Sequence, residues 1–376
     1  MMIPYSTQCI EEDDIKSVAD ALRNEYLTGG PTVEQFESSF AKYTGAKYAV
    51  AVSSGTAALH IACMAIGLGT GDEVITTPNT WVSSANVAFY CGAKPVFADI
   101  DNQSYNIDPS EIERKITNKT RIIIAVDYSG RPCDMDRIND IAKEHGIFVI
   151  EDAAHSIGAL YKGRKVGALA DITTFSFHPV KQMTTCEGGM ITTDSEELYN
   201  RCKFIRAYGM VKNSETERKE GPWFSDQQLL GYNYRLSDVQ CSLGISQLKK
   251  VNRFIERRKE IANIYFSELS DIDGIMLPAQ DKEYLSSFHL FPVLVEREKR
   301  KALYLRLREE EVGVGVHYYP VYRNTYYQNN GYNDVICPVA ENFYDRELSL
   351  PVHYRMTDQD VDYIVHTIRR IVKEGC

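Results

Sequence analysis

Thr173-Thr-Phe-Ser-Phe177-His-Pro-Val-Lys181-Gln-Met-Thr-Thr-Cys-Glu-Gly-Gly189 leads one short apolar run into the next, Gly189-Met-Ile-Thr-Thr193, through a turn that carries a single lysine. Short apolar runs bounded by glycine, proline and polar residues read as strands buried on both faces. Further runs precede these at Tyr48–Val52, Glu73–Thr77, Pro95–Ala98, Arg121–Val126 and Ile147–Ile150. Between them lie helical stretches such as Thr56–Leu68 and Met135–His145, the latter with Asp134 placed as N-cap and Gly146 as stop. This alternation predicts an α/β fold with a seven-stranded, mostly parallel sheet covered on both faces.

After about residue 240 the order changes. A long charged helix (about 246–269), a strand at His289–Val295, another helix and the run Val312–His317 suggest a smaller α+β domain. The expected division is 1–245 and 246–376. The polar stretch Lys212–Asp226 reads as a surface loop.

The chain has 376 residues, of which 44% are apolar and 25% charged, the composition of a soluble globular protein. A net charge of -10 argues against nucleic acid or an anionic membrane as partner, because both require an extended basic face. The nine cysteines are scattered, odd in number and without a CxxC pair, which fits free thiols in a reducing cytoplasm rather than disulfides or a metal site. The sequence contains no apolar run long enough to span a bilayer. A cytoplasmic location is expected.

Chemistry concentrates at strand ends. Lys181 follows an apolar strand and precedes Gly188-Gly189, which would leave room for a ring beside it. Asp152 closes the run that begins at Ile147, and so stands at the carboxyl edge of a parallel strand, where ligands of open α/β sheets bind. A lysine able to form a Schiff base, with a carboxylate able to hold a pyridine nitrogen protonated, points to pyridoxal phosphate (PLP). The turn Ser53-Ser-Gly-Thr-Ala-Ala-Leu59 opens a helix, and its N–H groups with the Ser54 and Thr56 hydroxyls would cradle a phosphate, or else merely cap the helix. Ser176 can reach the same phosphate. Trp81 offers a flat face for a cofactor ring or for the core. His155 and His178 are placed to touch the cofactor or substrate, or to be structural. Asn233 and Arg235 could serve an anionic ligand, while Ser237 or Asp238 caps the following helix. His317-Tyr-Tyr-Pro320 would close over a substrate or pack as an aromatic cluster.

Ser-Gly-Thr-Ala-Ala-Leu at 54–59, Glu-Asp-Ala-Ala-His at 151–155, Ser-Phe-His-Pro-Val-Lys at 176–181, Glu-Gly-Gly at 187–189, Tyr-Asn-Tyr-Arg at 232–235 and Val-His-Tyr at 316–318 occur in one order. This set resembles the DegT/DnrJ/EryC1/StrS family of sugar aminotransferases over essentially the whole chain. The resemblance implies the type I PLP-dependent aminotransferase fold and a homodimer with shared active sites. It implies PLP on Lys181 as the catalytic residue, Asp152 at the pyridine nitrogen, Trp81 stacked on the ring, and Gly55, Thr56 and Ser176 on the phosphate side. Asn233 would reach in from the partner subunit, with L-glutamate as amino donor and a nucleotide-linked 4-keto-6-deoxysugar as acceptor. Within the family, the segments look most similar to the transaminases of pseudaminic acid synthesis, which act on a UDP-linked sugar. That likeness would place Tyr5, Glu25, Tyr26, Leu27, Thr28, Gly315, Val316, His317 and Tyr318 around the sugar nucleotide. Gln182 stands where that subgroup would carry proline.

Overall fold

The computed structural model describes residues 2–211, 219 and 221–375. Its centre is a seven-stranded sheet made of β1 (Tyr48–Val52), β2 (Glu73–Thr76), β3 (Lys94–Phe97), β4 (Thr120–Val126), β5 (Phe148–Asp152), β6 (Ile172–Ser176) and β7 (Gly189–Thr193). The spatial order is β1-β7-β6-β5-β4-β2-β3. β7 alone runs against its neighbours, and the others are parallel.

The strands are apolar throughout because both faces are covered, so alternate residues feed two separate cores. Ile123 and Ala125 of β4 enter one core with Phe36 and Phe40 of the helix Pro31–Thr44 and with Ile138 of the helix Met135–His145. Ile122, Ile124 and Val126 enter the other, against Ala58, Ile61 and Ala62 of the helix Gly55–Ile66. Each fully buried isoleucine contributes about 1.5–3 kcal/mol of transfer free energy, so the β4 triplet alone anchors both faces.

The helix Met135–His145 ends as expected at Gly146, whose φ of 66° is left-handed, but Asp134 at its N-cap position makes no side-chain capping bond. The long helix runs Asp238–Leu269, starting earlier than the expected 246 and passing through position 245 without a break. Ser237 is its N-cap, in a capping box with Gln240. Of the expected loop Lys212–Asp226, residues 212–218 and 220 lie outside the described residues. Asp226 itself belongs to a two-residue strand, Asp226–Gln227, paired with Met210–Val211.

Beyond the sheet, β8 (Phe291–Leu294) pairs antiparallel with β9 (Glu347–Leu350), and the helices Arg297–Glu309 and Asp358–Lys373 cover the pair. The expected strand Val312–His317 does not form. Val312 bridges to Ile3 and Gly315 to Ser349, so that segment alternates partners instead of sharing one ladder. The strand that pairs with β8 is instead β9, which the sequence did not single out. Among the described residues no helix is long and apolar enough to cross a membrane, and the eight described cysteines are free.

Arg258 lies inside the long helix and is 2% exposed. Its Nη1 donates to the carbonyls of Phe288 (3.1 Å), His289 (3.3 Å) and Val352. Replacing it with alanine strands three buried acceptors and opens a void. Arg258→Ala should therefore destabilise the fold by about 3–5 kcal/mol, read from the shift of the chemical denaturation midpoint. A loss below about 1 kcal/mol would mean that the carbonyls find other donors.

Candidate active site

The carboxyl ends of the parallel strands open into one cavity of about 580 Å³. β5 ends on Asp152, β6 on Ser176, and β4 on Val126, and all three line it. Because β7 is reversed, it starts here, with Gly189 between Val52 and Ser176 in the ladder. A Cβ at Gly189 would lie 2.5 Å from the Ser54 carbonyl, so glycine lets the turn after β1 cross directly over β7.

Lys181 sits in a closed turn. Phe177 N donates to Gly188 O (2.8 Å), Thr185 N to Phe177 O (3.1 Å) and Lys181 N to His178 O (2.9 Å). Loss of bulk water brings the Lys181 amine down to about 8, while Asp152 pulls it up and Arg258 pushes it further down. Asp152 is 5% exposed. Burial raises its carboxyl, and the Ser84 hydroxyl (2.7 Å), the Ala154 amide (3.2 Å) and the Lys181 charge oppose that rise. The two groups therefore lean on each other, each favouring the other's charged form.

His155 is buried, and desolvation, then Lys181 and His317, drive its imidazole well below the usual range. Its Nε2 lies 3.2 Å from the Tyr318 hydroxyl, whereas its Nδ1 has no protein partner among the described residues. The His155 ring leans on His289, centroids 4.2 Å apart. From behind, Gln182 Nε2 donates to the His155 carbonyl and to Ser287 Oγ (2.9 Å). The residue at the expected proline position thus braces the segment that carries His155.

At the other end, the helix Gly55–Ile66 points its N-terminus into the cavity, with Ser54 capping it by accepting from Ala57 N (3.1 Å). Thr56 and Ser83 exchange a hydroxyl bond at 2.8 Å. A Cβ on Gly55 would come 2.9 Å from that of Ser176, so this wall closes only around glycine. Backbone N–H groups at the helix end, with the hydroxyls of Ser54, Thr56, Ser83 and Ser176, can hold a phosphate. Trp81 is 63% exposed at the cavity edge, its ring 6.3 Å from that of Tyr318. An amine opposed to a buried carboxylate, an unpartnered imidazole nitrogen and a hydroxyl-lined helix end form a donor set that fits PLP.

Of the residues singled out in the sequence, the cavity gathers Tyr5, Gly55, Thr56, Trp81, Asp152, His155, Ser176, His178, Lys181, Val316, His317 and Tyr318. Gly315 stands just behind, where a Cβ would strike the His317 ring at 2.5 Å. Glu25, Tyr26, Leu27, Thr28, Asn233 and Arg235 do not line the cavity of their own chain. Thr28 bridges to Ser237, Asn233 to Ala207, and Arg235 lies exposed with its guanidinium 5.2 Å from the Tyr208 ring. Sequence reasoning missed Ser84, Ser83, His289 and Glu187. The adjacent serines two and three positions after a cavity tryptophan were the one available signal for the first two; His289, whose carbonyl Arg258 holds, carried no local signal.

The chain matches the DegT/DnrJ/EryC1/StrS aminotransferase family over residues 8–369. It is 41% identical over 378 residues to the spore coat polysaccharide biosynthesis protein SpsC of Bacillus subtilis, covering 99% of this chain and 97% of that protein. It is 40% identical over 380 residues to the UDP-4-amino-4,6-dideoxy-N-acetyl-beta-L-altrosamine transaminase of Campylobacter jejuni, covering 99% and 98%. Its fold superimposes on the PLP form of the putative sugar aminotransferase Spr1654 from Streptococcus pneumoniae with a TM-score of 0.93 at 32% identity, over 100% of this chain and 99% of that one. With its seven-stranded sheet and its lysine–carboxylate cavity, this chain belongs to the DegT/DnrJ/EryC1/StrS aminotransferase family and is a PLP-dependent sugar transaminase.

Proposed function

We propose that the protein moves the amino group of L-glutamate to C4 of a UDP-linked 4-keto-6-deoxy-N-acetylhexosamine, giving UDP-4-amino-4,6-dideoxy-N-acetyl-β-L-altrosamine. The transamination rests on one observation above all, the Lys181 amine and the Asp152 carboxylate electrostatically paired in one cavity at the sheet's carboxyl edge. The choice of sugar is supported by whole-length likeness to a transaminase named for that product. Equal likeness to SpsC favours, as the second reading, another nucleotide 4-keto-6-deoxysugar such as a bacillosamine or perosamine precursor.

PLP supplies the electron sink and the carbonyl that carries the amino group between the two substrates. Lys181 would hold it, and its amine, brought down to about 8, would be suited to carry a proton between the substrate carbon and the cofactor's C4′. Asp152, oriented by Ser84, would keep the ring nitrogen protonated. Ser54, Thr56 and Ser176 would bind the phosphate, and Trp81 would cover the ring face. The unpartnered Nδ1 of His155 suits a hydrogen bond to the cofactor's ring oxygen.

His178, His317 and Tyr318 border the space left for donor and acceptor. In the same reading two copies pair, so that Asn233, Arg235 and Glu25–Thr28 complete the neighbouring site. That they face away from their own cavity, among the exposed apolar side chains Tyr26, Leu27, Tyr208, Met210 and Leu230, supports this pairing. The division near residue 245 then separates a cofactor-binding part from a part that closes over the substrate, and a cytoplasmic setting suits the free thiols.

Lys181→Ala is expected to lose at least about 10³-fold in transamination, together with the visible absorbance of lysine-bound PLP; retained turnover would remove Lys181 from the chemistry. Asp152→Asn should fold and bind PLP yet lose about 10²–10³-fold in kcat, and near-normal rates would assign the pyridine nitrogen to another group. Supplied with glutamate and either the L-arabino or the D-xylo UDP-4-keto-6-deoxy-HexNAc, the enzyme should form the 4-amino product from the L-arabino sugar, as followed by mass spectrometry. Preference for the D-xylo epimer would transfer the enzyme to the second reading.

A further inference from the structure

Glu347, at the start of β9, is 0% exposed and forms no ion pair among the described residues. Its Oε2 accepts the His317 amide at 2.6 Å, and its Oε1 lies 2.5 Å from Ser349 Oγ. Ser349, also fully buried, places that Oγ 2.8 Å from His317 Nδ1. The three groups form a closed relay of carboxyl, hydroxyl and imidazole; His317 lines the cavity, and with Nδ1 turned to Ser349, Nε2 is the ring nitrogen left for it. Gly315 leaves room for the ring, Tyr5 lies 5.5 Å from it, and the Tyr128 hydroxyl holds the His317 carbonyl at 2.8 Å, so the ring's position is set from several sides.

With Ser349 committed to Glu347 and His317, and the Tyr128 hydroxyl beside it donating to the His317 carbonyl, the relay has two consistent hydrogen arrangements. The His317 amide can only donate, so Oε2 is always an acceptor and any carboxyl proton sits on Oε1. With Glu347 neutral, Oε1–H donates to Ser349, Ser349 donates to Nδ1, and the neutral imidazole carries its hydrogen on Nε2. With Glu347 ionised, Ser349 donates to Oε1, Nδ1 donates to Ser349, and Nε2 offers a lone pair. We propose that Glu347, acting through Ser349, decides whether His317 presents a hydrogen-bond donor or an acceptor to the substrate, so that both are positioning residues for the acceptor sugar.

Burial moves the Glu347 carboxyl up to about 8, with Ser349, the His317 amide and the distant Arg300 opposing. The donor form therefore holds below that pH and the acceptor form above it. The other titratable groups around the relay are Tyr128, Tyr318 and Tyr5, all pushed upward by burial, and Lys181 and His155 across the cavity. His317 itself is held down to about 4 by desolvation and then by Lys181, so its ring stays neutral throughout the Glu347 transition.

This inference rests on the cavity being the substrate site, but its deciding test, the tautomer of His317, needs no turnover. In ¹⁵N-histidine-labelled holoenzyme, with the His317 signal identified by its loss in His317→Asn, the Nε2 resonance should pass from protonated to unprotonated as pH rises through about 8, without the ring becoming charged. Glu347→Gln, whose amide can only donate to Ser349, should hold Nε2 protonated across that range. Ser349→Ala should abolish the transition and lower kcat/KM for the keto sugar by about tenfold, with kcat/KM for glutamate less affected. A wild-type tautomer that does not change with pH, or a Glu347→Gln protein that titrates like wild type, would overturn the proposal. A wrong choice of sugar would leave the resonances as described.

Discussion

A buried guanidinium with no carboxylate partner among the described residues ties the long helix to the segments that back the cavity. Arg258 projects from the long helix into a buried position and spends one nitrogen on three carbonyls, those of Phe288, His289 and Val352. A charge in such a place survives only because peptide dipoles replace the water it has lost. The same bonds fix His289 against His155 and place a positive charge near enough to weigh on the Lys181 amine. Removing Arg258 would disturb packing and the electrostatics of the cavity together, because one group acts on both.

The sheet supplies the other constraint. Parallel strands deliver their carboxyl ends to one edge, and the helix after each strand turns its amide end the same way, so that edge gathers both carboxylates and anion-binding N–H groups. Asp152 and the Ser54–Thr56 turn are two consequences of a single topology. The reversed β7 complicates the edge by starting where the others stop, and Gly188-Gly189 resolve the crowding: Cβ atoms there would lie 2.2 Å from Thr185 Oγ1 and 2.5 Å from the Ser54 carbonyl.

Polar groups buried around the cavity are arranged in braces, each bonding a neighbour that lines it. Ser84 orients Asp152, Gln182 and Ser287 hold the His155 carbonyl, and Glu347 with Ser349 orients His317. In a desolvated site such bonds are stronger than at the surface and more costly to leave unmade, which keeps the side chains that line the cavity in one geometry.

The sequence by itself determined the sheet, the lysine and its carboxylate. Their signals are local: apolar runs of strand length, a charged residue at the end of such a run, and glycines at a crowded turn. It also placed Trp81, Ser176, Thr56 and the His317-Tyr318 pair where the cavity is found. The strand expected at 312–317 failed because its residues bond to Ile3 and Ser349, partners more than thirty positions away that no local pattern announces. Ser84, His289, Arg258 and Glu347 were invisible for the same reason. A serine, a histidine or a buried charge acquires its role from what packs against it, and only the tertiary structure decided those contacts, because hydrogen bonds between distant segments leave no periodicity in the chain.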